Sequence, residues 1–299
     1  MCGHRKMSGF FSAEDVVNLN KAKDDAHTKF DDLRNKLAGR AYRTSRGREY
    51  AFTGLIRRLD TMIRAIDYVF DILPPEKEDI PSTDETVPAT MLIQSFVINV
   101  QGCLDNLAWI WVFETALKGR DGNELERRAV GLGDGYWIVR KSFSKPFQRY
   151  LKQRKVWFQH VAEFRDSLAH RIPLYILPFI LSEPNSKEYY RLEKEAFEAG
   201  LNSDYKSYDE LKAQQQKLGA YRPWMTHSPA EKAPAAVFHQ QLLQDFLAID
   251  ECANKILEEL TLFEQRSKAS TPNPVGSTFS RWPRAAWALL CRLKNRSSE

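Results

Sequence analysis

Residues 88–117 read PATMLIQSFVINVQGCLDNLAWIWVFETAL, which is the most apolar helical pattern in the chain. Apolar side chains cover most of the circumference of a helix drawn through this stretch, from Phe96 to Phe113. A helix that is hydrophobic on all sides is a buried one. The stretch therefore predicts a central helix against which the other helices of the fold pack.

One stripe of this predicted helix is small and polar. Its members recur at i, i+4, i+7 and i+11, which brings them within about 40° of each other around the helix axis. They are Ser95, Asn99, Gly102 and Asn106. Because buried amides are hydrogen-bonded, the stripe is compatible with two roles. Either it lets a neighbouring helix approach closely, with its polar groups satisfied internally, or Asn99 and Asn106 contribute to a substrate-binding site.

Further helical patterns lie on both sides of the central stretch. They predict an all-α fold, built as a bundle of about five long helices. The expected helices are at about 12–38, 49–73, 88–117, 145–171 and 234–264. Residues 1–265 are predicted to form a single helical domain, in which 172–230 is a small irregular subdomain.

The C-terminal residues 266–299 are predicted to be a linker followed by a flexible, amphipathic basic tail. From Ser267 onward there are six Lys or Arg against one Glu, so this segment carries the whole net charge of +5. The remaining chain is about neutral, and overall charge therefore gives no indication of nucleic-acid binding. The tail is compatible with contact to an anionic surface, or with a frayed end.

Composition favours a soluble cytoplasmic protein. Of the 299 residues, 43% are hydrophobic and 12% aromatic, as in globular proteins. The four cysteines are too widely spaced for a metal site, and nothing indicates a disulfide framework. The longest apolar runs, Leu107–Phe113 and Ile172–Leu181, are far shorter than the roughly 20 residues of a membrane span. No transmembrane segment is expected.

A basic and aromatic segment runs from Arg140 to Lys155. It contains seven Lys or Arg and no acidic residue, interleaved with Phe143, Phe147 and Tyr150. Such a segment is typical of a nucleic-acid surface, although an amphipathic helix with a solvated lysine-rich face has the same pattern. The substrate-binding residues predicted from it are Arg149, Lys152 and Arg154.

The segment leads into residues 157–173, WFQHVAEFRDSLAHRIP, which begin as a helix and stop at a proline. Near the end of this helix, Asp166 and His170 are four residues apart and so are neighbours on one face. A carboxylate beside an imidazole fixes its tautomer and favours its protonated form, which suits a general acid or base near neutral pH. Arg165 and Arg171 add two guanidinium groups that bind phosphate in a bidentate manner. Arginine and histidine together suffice for cleaving RNA without a metal.

At Arg165-Asp166-Ser167-Leu168-Ala169-His170 the sequence resembles the HEPN (higher eukaryotes and prokaryotes nucleotide-binding) superfamily. Its hallmark is an arginine and a histidine separated by four to six residues, near the end of a helix in an all-α bundle. The resemblance implies a metal-independent endoribonuclease that uses no cofactor. It assigns phosphate positioning to Arg165, acid–base catalysis to His170 and a supporting role to Asp166. It also implies a composite site formed across a homodimer.

Two other interpretations of the same residues stay open. In the first, Arg165, Asp166 and His170 form a structural polar cluster that fixes the end of the helix in a non-catalytic interaction protein. In the second, His160 and Glu163 bind a metal from one helix face. A metal site in a bundle needs matching ligands on other helices, and the central helix offers only Asp105 and Glu114, on different faces. We therefore predict no metal.

Overall fold

The computed structural model describes residues 9–177, 179–228 and 233–269. The chain divides into two units, the first ending at Leu262 and the second beginning at Phe263. The fold is all-α, as predicted, with a few strands of two or three residues. The predicted C-terminal tail beyond residue 269 lies outside the described residues.

The central helix, α4, spans Thr83–Thr115, and its apolar positions form the middle of the core. It begins at Thr83, five residues before the start at Pro88 that the sequence predicted. The reason is a capping box, in which the Ser82 hydroxyl and the Glu85 carboxylate satisfy each other's backbone N–H groups. Pro88 is therefore accommodated inside the helix and does not begin it.

The helices before α4 form two segments, of which the second packs directly on α4. Helix α1 spans Ala13–Gly39 and also begins with a capping box, between Ser12 and Asp15. A continuous helical stretch then comprises α2 (Ser45–Glu49), a π-helical segment (Tyr50–Ile56) and α3 (Arg57–Ile72). Helix α3 packs along α4, and α1 packs against α3.

The predicted helix at 145–171 is in fact two helices, and a further short helix precedes them. Helix α5 spans Trp137–Ser142, α6 spans Lys145–Gln153 and α7 spans Lys155–His170. The break falls at Arg154, whose side chain forms an ion pair with Glu251. Helix α7 packs directly against α4.

The region 172–230 is more regular than the predicted irregular subdomain. Helices α8 (Glu183–Leu201) and α9 (Tyr205–Gln216) pack against each other as a hairpin. Two small antiparallel sheets accompany them, one of strands β1, β4 and β5 in the order β1-β4-β5, the other of β2 and β3. The strands are β1 (Tyr175–Ile176), β2 (Ile180–Leu181), β3 (Gly219–Ala220), β4 (Trp224–Thr226) and β5 (Ala236–Val237).

The last helix, α10, spans Phe238–Ala269, so residues predicted as the start of the linker are helical. In the described part of the chain, α4 alone is long and apolar enough to cross a membrane by length and composition. A buried core helix passes the same test, and α4 packs against α2, α3 and α7. The structure thus contains no clear transmembrane segment among these residues.

Candidate functional site

The C-terminal end of α7 is an exposed turn that carries the histidine and arginine of the predicted motif. The helix ends because Arg171 leaves helical geometry, at φ −131° and ψ −132°, two residues before Pro173. The backbone N–H of Arg171 still donates to the Ser167 carbonyl at 3.0 Å, and its Nη2 donates to the Ser167 hydroxyl at 3.2 Å. His170 and Arg171 are both exposed. The turn therefore presents an imidazole and a guanidinium to solvent.

The carboxylate of Asp166 is paired with Arg165, and not with His170 as the sequence spacing had indicated. Its Oδ1 lies 2.9 Å from Nη1 of Arg165, and the two side chains are 48% and 38% exposed. Within the described ranges, no hydrogen bond or ion pair joins Asp166 to His170. The long arginine side chain reaches its sequence neighbour, so the predicted imidazole–carboxylate dyad is replaced by a guanidinium–carboxylate pair.

Arg165 lies partly under the surface, towards the central helix. Its Nε is buried and has no hydrogen-bond partner among the described residues. On α4, burial raises the pKa of the Asp105 carboxyl, against the opposing effects of the Gln101 amide and the charges of Arg165 and Arg58. Asp105 therefore contributes a carboxylate to the electrostatic surroundings of Arg165. From the sequence, Asp105 stood out only as a possible metal ligand, because spacing along one helix does not reveal a neighbour on α7.

Of the two roles that the sequence left open for the small-polar stripe of α4, close packing with internally satisfied polar groups is the one seen at Asn99 and Asn106. Arg58 of α3 donates from Nε to Asn106 Oδ1 at 2.9 Å and from Nη1 to Asn99 Oδ1 at 3.0 Å. Gly102 provides the space, since a Cβ there would lie 2.4 Å from the Arg58 guanidinium. Both asparagines are thus occupied by an internal arginine.

The basic segment forms a surface groove of about 620 Å³. Residues spaced i, i+3, i+4 and i+7 on α6 form one wall, and their opposite face, with Phe147 and Leu151, is buried in the core. The outer face of α5 forms the other wall. The lining residues are Asp134, Trp137, Arg140, Lys141, Lys145, Gln148, Arg149, Lys152 and Lys155. Six cations therefore face a single carboxylate.

Arg149 and Lys152 line this groove, whereas Arg154, predicted with them, does not. The Arg154 guanidinium is paired with Glu251 of α10 and lies 5.6 Å from the centre of the Tyr150 ring. It therefore fastens the α6–α7 junction to α10. Arg154 is a packing residue and not part of the groove.

The groove and the exposed turn lie at opposite ends of α7. Lys155 lines the groove and begins the helix, and His170 ends it. Fifteen residues at about 1.5 Å rise each separate them by roughly 22 Å along the axis. The basic face and the motif are therefore two surfaces joined by one helix.

A buried polar contact holds α7 against α10. Trp157 donates from its indole Nε1 to Asp245 Oδ1 at 2.8 Å, and the Gln241 amide donates to the same oxygen at 2.8 Å. Burial raises the pKa of the Asp245 carboxyl, although these two donors and the charge of His160 oppose the rise. Asp245 of α10 thus fixes the orientation of α7 through Trp157.

The metal interpretation named His160 and Glu163 on α7. Glu163 lies 4.0 Å from the Nε2 of the buried His227, which belongs to the loop after β4. Among the described residues, no group of three or more His, Cys, Asp or Glu side chains is arranged to hold a metal ion.

Comparison with protein-family models, curated proteins and solved structures finds no match to this chain.

Proposed function

We propose that the chain is a HEPN-like, metal-independent endoribonuclease that acts at the C-terminal end of α7. The observation that carries the proposal is that His170 is exposed and the Arg165 guanidinium is half-exposed, five positions apart in the last turns of a helix in an all-α fold. This is the structural context in which the HEPN motif is expected.

In the proposed reaction His170 transfers a proton. It either accepts the proton of an RNA 2′-hydroxyl, whose oxygen attacks the adjacent phosphorus, or donates a proton to the 5′-oxygen as the P–O bond breaks. The products are a 2′,3′-cyclic phosphate and a 5′-hydroxyl. The P–O bond to the 2′-oxygen forms as the P–O bond to the 5′-oxygen breaks, and the proton lost by the 2′-hydroxyl is matched by the proton gained by the 5′-oxygen, so no oxidant or reductant is required.

The two arginines hold the phosphate while its negative charge increases. Asp166 orients the Arg165 guanidinium through Nη1 and leaves the other terminal nitrogen for a non-bridging phosphate oxygen. Such charge-assisted hydrogen bonds strengthen as charge develops in the transition state. Arg171, in the exposed turn, supplies a second cation. The HEPN resemblance extends this proposal to a homodimer, in which two α7 ends would share one composite site.

The test is cleavage of single-stranded RNA in EDTA by the wild type and by His170→Ala. Loss of a positioned acid or base lowers the rate by about 10²–10⁴-fold. His27→Ala is the matched control, because His27 is a half-exposed histidine on α1 that lies 2.8 Å from Asp67. We expect His27→Ala to retain the wild-type rate. Equal cleavage by the wild type and His170→Ala, or none by either, contradicts the proposal.

A second candidate is a non-catalytic helical interaction protein, in which the motif is structural. The observation that favours it is the ion pair between Arg165 and Asp166 at the end of α7. In that case the wild-type protein does not cleave RNA, and Arg165→Ala lowers the free energy of unfolding. Cleavage by the wild type, with a folded but inactive His170→Ala, excludes this candidate.

A further inference from the structure

The cations on α6 form no ion pair with any residue that the structure describes. Lys145, Arg149 and Lys152 are exposed, and none of them forms an ion pair within the part of the chain that the structure describes. The single carboxylate of the groove, Asp134, is already shared by Arg140 at 3.0 Å and Lys155 at 3.3 Å. Like charges at i, i+4 destabilise a helix slightly, so this face carries a small cost that an anion would remove.

The outer face of α8 shows how a merely solvated helix face differs from that of α6. There Arg191 is paired with Glu188 at 2.6 Å and with Glu195 at 2.5 Å, at i−3 and i+4. Helix α6 has no carboxylate at any corresponding position. Its cations are therefore available to an external ligand.

The same groove contains an exposed indole, that of Trp137 on α5. Trp137 is 41% exposed, with Arg120 at 4.3 Å and Lys141 at 5.3 Å from the centre of its ring. A cationic groove with an aromatic side chain at its edge is the arrangement that binds single strands, because phosphates contact the cations and bases stack on the ring.

A membrane surface fits this face less well than RNA does. Helices that bind at a lipid interface have a broad apolar face that enters the acyl region. On α6 the apolar residues Phe147 and Leu151 are buried in the core and the outward face is polar. Only Trp137 among the lining residues is apolar and exposed.

We propose that the groove between α5 and α6 binds the backbone of single-stranded RNA, with a base stacked on Trp137. The choice of RNA as the polyanion rests on the proposed function, whereas the groove itself follows from its charges. Lys155 in the groove and His170 in the exposed turn lie roughly 22 Å apart along α7. The groove thus holds the strand at a distance from the exposed turn.

Binding is measured by fluorescence anisotropy with a labelled 12-nucleotide single-stranded RNA, as a function of salt. All proteins carry His170→Ala, so that cleavage cannot interfere and a failure of the catalytic proposal leaves this test intact. The groove variant is Lys145→Gln, Arg149→Gln and Lys152→Gln together. Its control is Lys187→Gln, Lys206→Gln and Lys217→Gln, which removes the same charge from exposed positions elsewhere.

Neutralising three phosphate contacts lowers the slope of log affinity against log salt by about 2 for a single strand, and we expect this for the groove variant alone. Trp137→Ala weakens binding by roughly ten-fold and Trp137→Phe by less, because the phenyl ring still stacks. Circular dichroism confirms that each variant is folded.

Equal salt slopes for the groove and control variants overturn the proposal. So does a groove variant that loses binding to phosphatidylserine vesicles while its RNA binding is unchanged, since the surface would then be a lipid site.

Discussion

At the scale of single residues, the buried carboxylate of Glu114 stabilises the connection between α1 and α2. It is 2% exposed, at the C-terminal end of α4, where the helix dipole disfavours a negative charge. Three donors compensate: the backbone N–H of Arg43 at 2.7 Å, the backbone N–H of Thr44 at 3.1 Å and the Thr44 hydroxyl at 3.0 Å.

We predict that Glu114→Ala lowers the free energy of unfolding by about 3 kcal/mol, because it leaves buried donors unsatisfied. The control is Glu124→Ala, which removes a carboxylate that is 79% exposed and paired with Arg46 at 3.0 Å. That exposed pair is worth about 0.5 kcal/mol. Denaturant unfolding measures both variants, and losses of equal size would contradict the structural role of Glu114.

His239 gives the protein an acid-sensitive stability. It is fully buried among the rings of Phe11, Phe70 and Phe238, with Nε2 at 2.6 Å from the Leu73 carbonyl oxygen. Burial lowers its pKa from 6.5 to about 4, against the effect of that hydrogen bond. Because the unfolded chain binds the proton more readily, stability is lost as the pH falls from about 6.5 to about 4.

The expected loss from this one group is about 3 kcal/mol over that window. In His239→Gln an amide replaces the titrating ring and can still donate to Leu73. We measure the unfolding free energy of the wild type and of His239→Gln at pH 7 and at pH 4. The wild type should lose about 3 kcal/mol more than the variant between these two pH values. A difference that is independent of pH would show that His239 does not titrate in this way.

At the scale of elements, the outer face of α6 and the junction that follows it have different roles, and Arg149 on the helix and Arg154 after its end separate them. We predict that Arg149→Gln, in the groove, weakens RNA binding several-fold without changing stability. Arg154→Gln, by contrast, removes the ion pair with Glu251. It should lower the free energy of unfolding by about 0.5–1 kcal/mol and leave RNA affinity unchanged. The reverse pattern in binding and unfolding measurements would contradict the assignment of the two roles.

The helix ends also show which signals lie in the sequence and which do not. The start of α4 is encoded locally, since Ser82 and Glu85 have the spacing of a capping box, yet Pro88 was taken as the first residue. The break at Arg154 has no comparable local signal. Its partner, Glu251, lies 97 positions away, so the pattern of 145–171 alone predicted one continuous helix.

At the scale of the whole molecule, the all-α fold was predictable because one apolar stretch requires a surrounding layer of amphipathic helices. The basic groove was predictable in part, since the charges of 140–155 follow helical spacing. The partner of the small-polar stripe was not predictable, because Arg58 lies on another helix. A glycine beside two asparagines predicts a close neighbour but does not identify which side chain it is. The same limit applies to Asp166, for which helical spacing indicated His170 and the structure gives Arg165.

We propose that Arg165 and His170 cleave RNA through its 2′-hydroxyl. The most direct measurement uses a DNA oligonucleotide with one internal ribonucleotide, incubated with the protein in EDTA. We predict a single cut on the 3′ side of the ribonucleotide, leaving a 2′,3′-cyclic phosphate, with the rate reduced at least about 100-fold in His170→Ala. Cuts at deoxyribonucleotides, a requirement for added metal, or an equal rate in His170→Ala would contradict the claim.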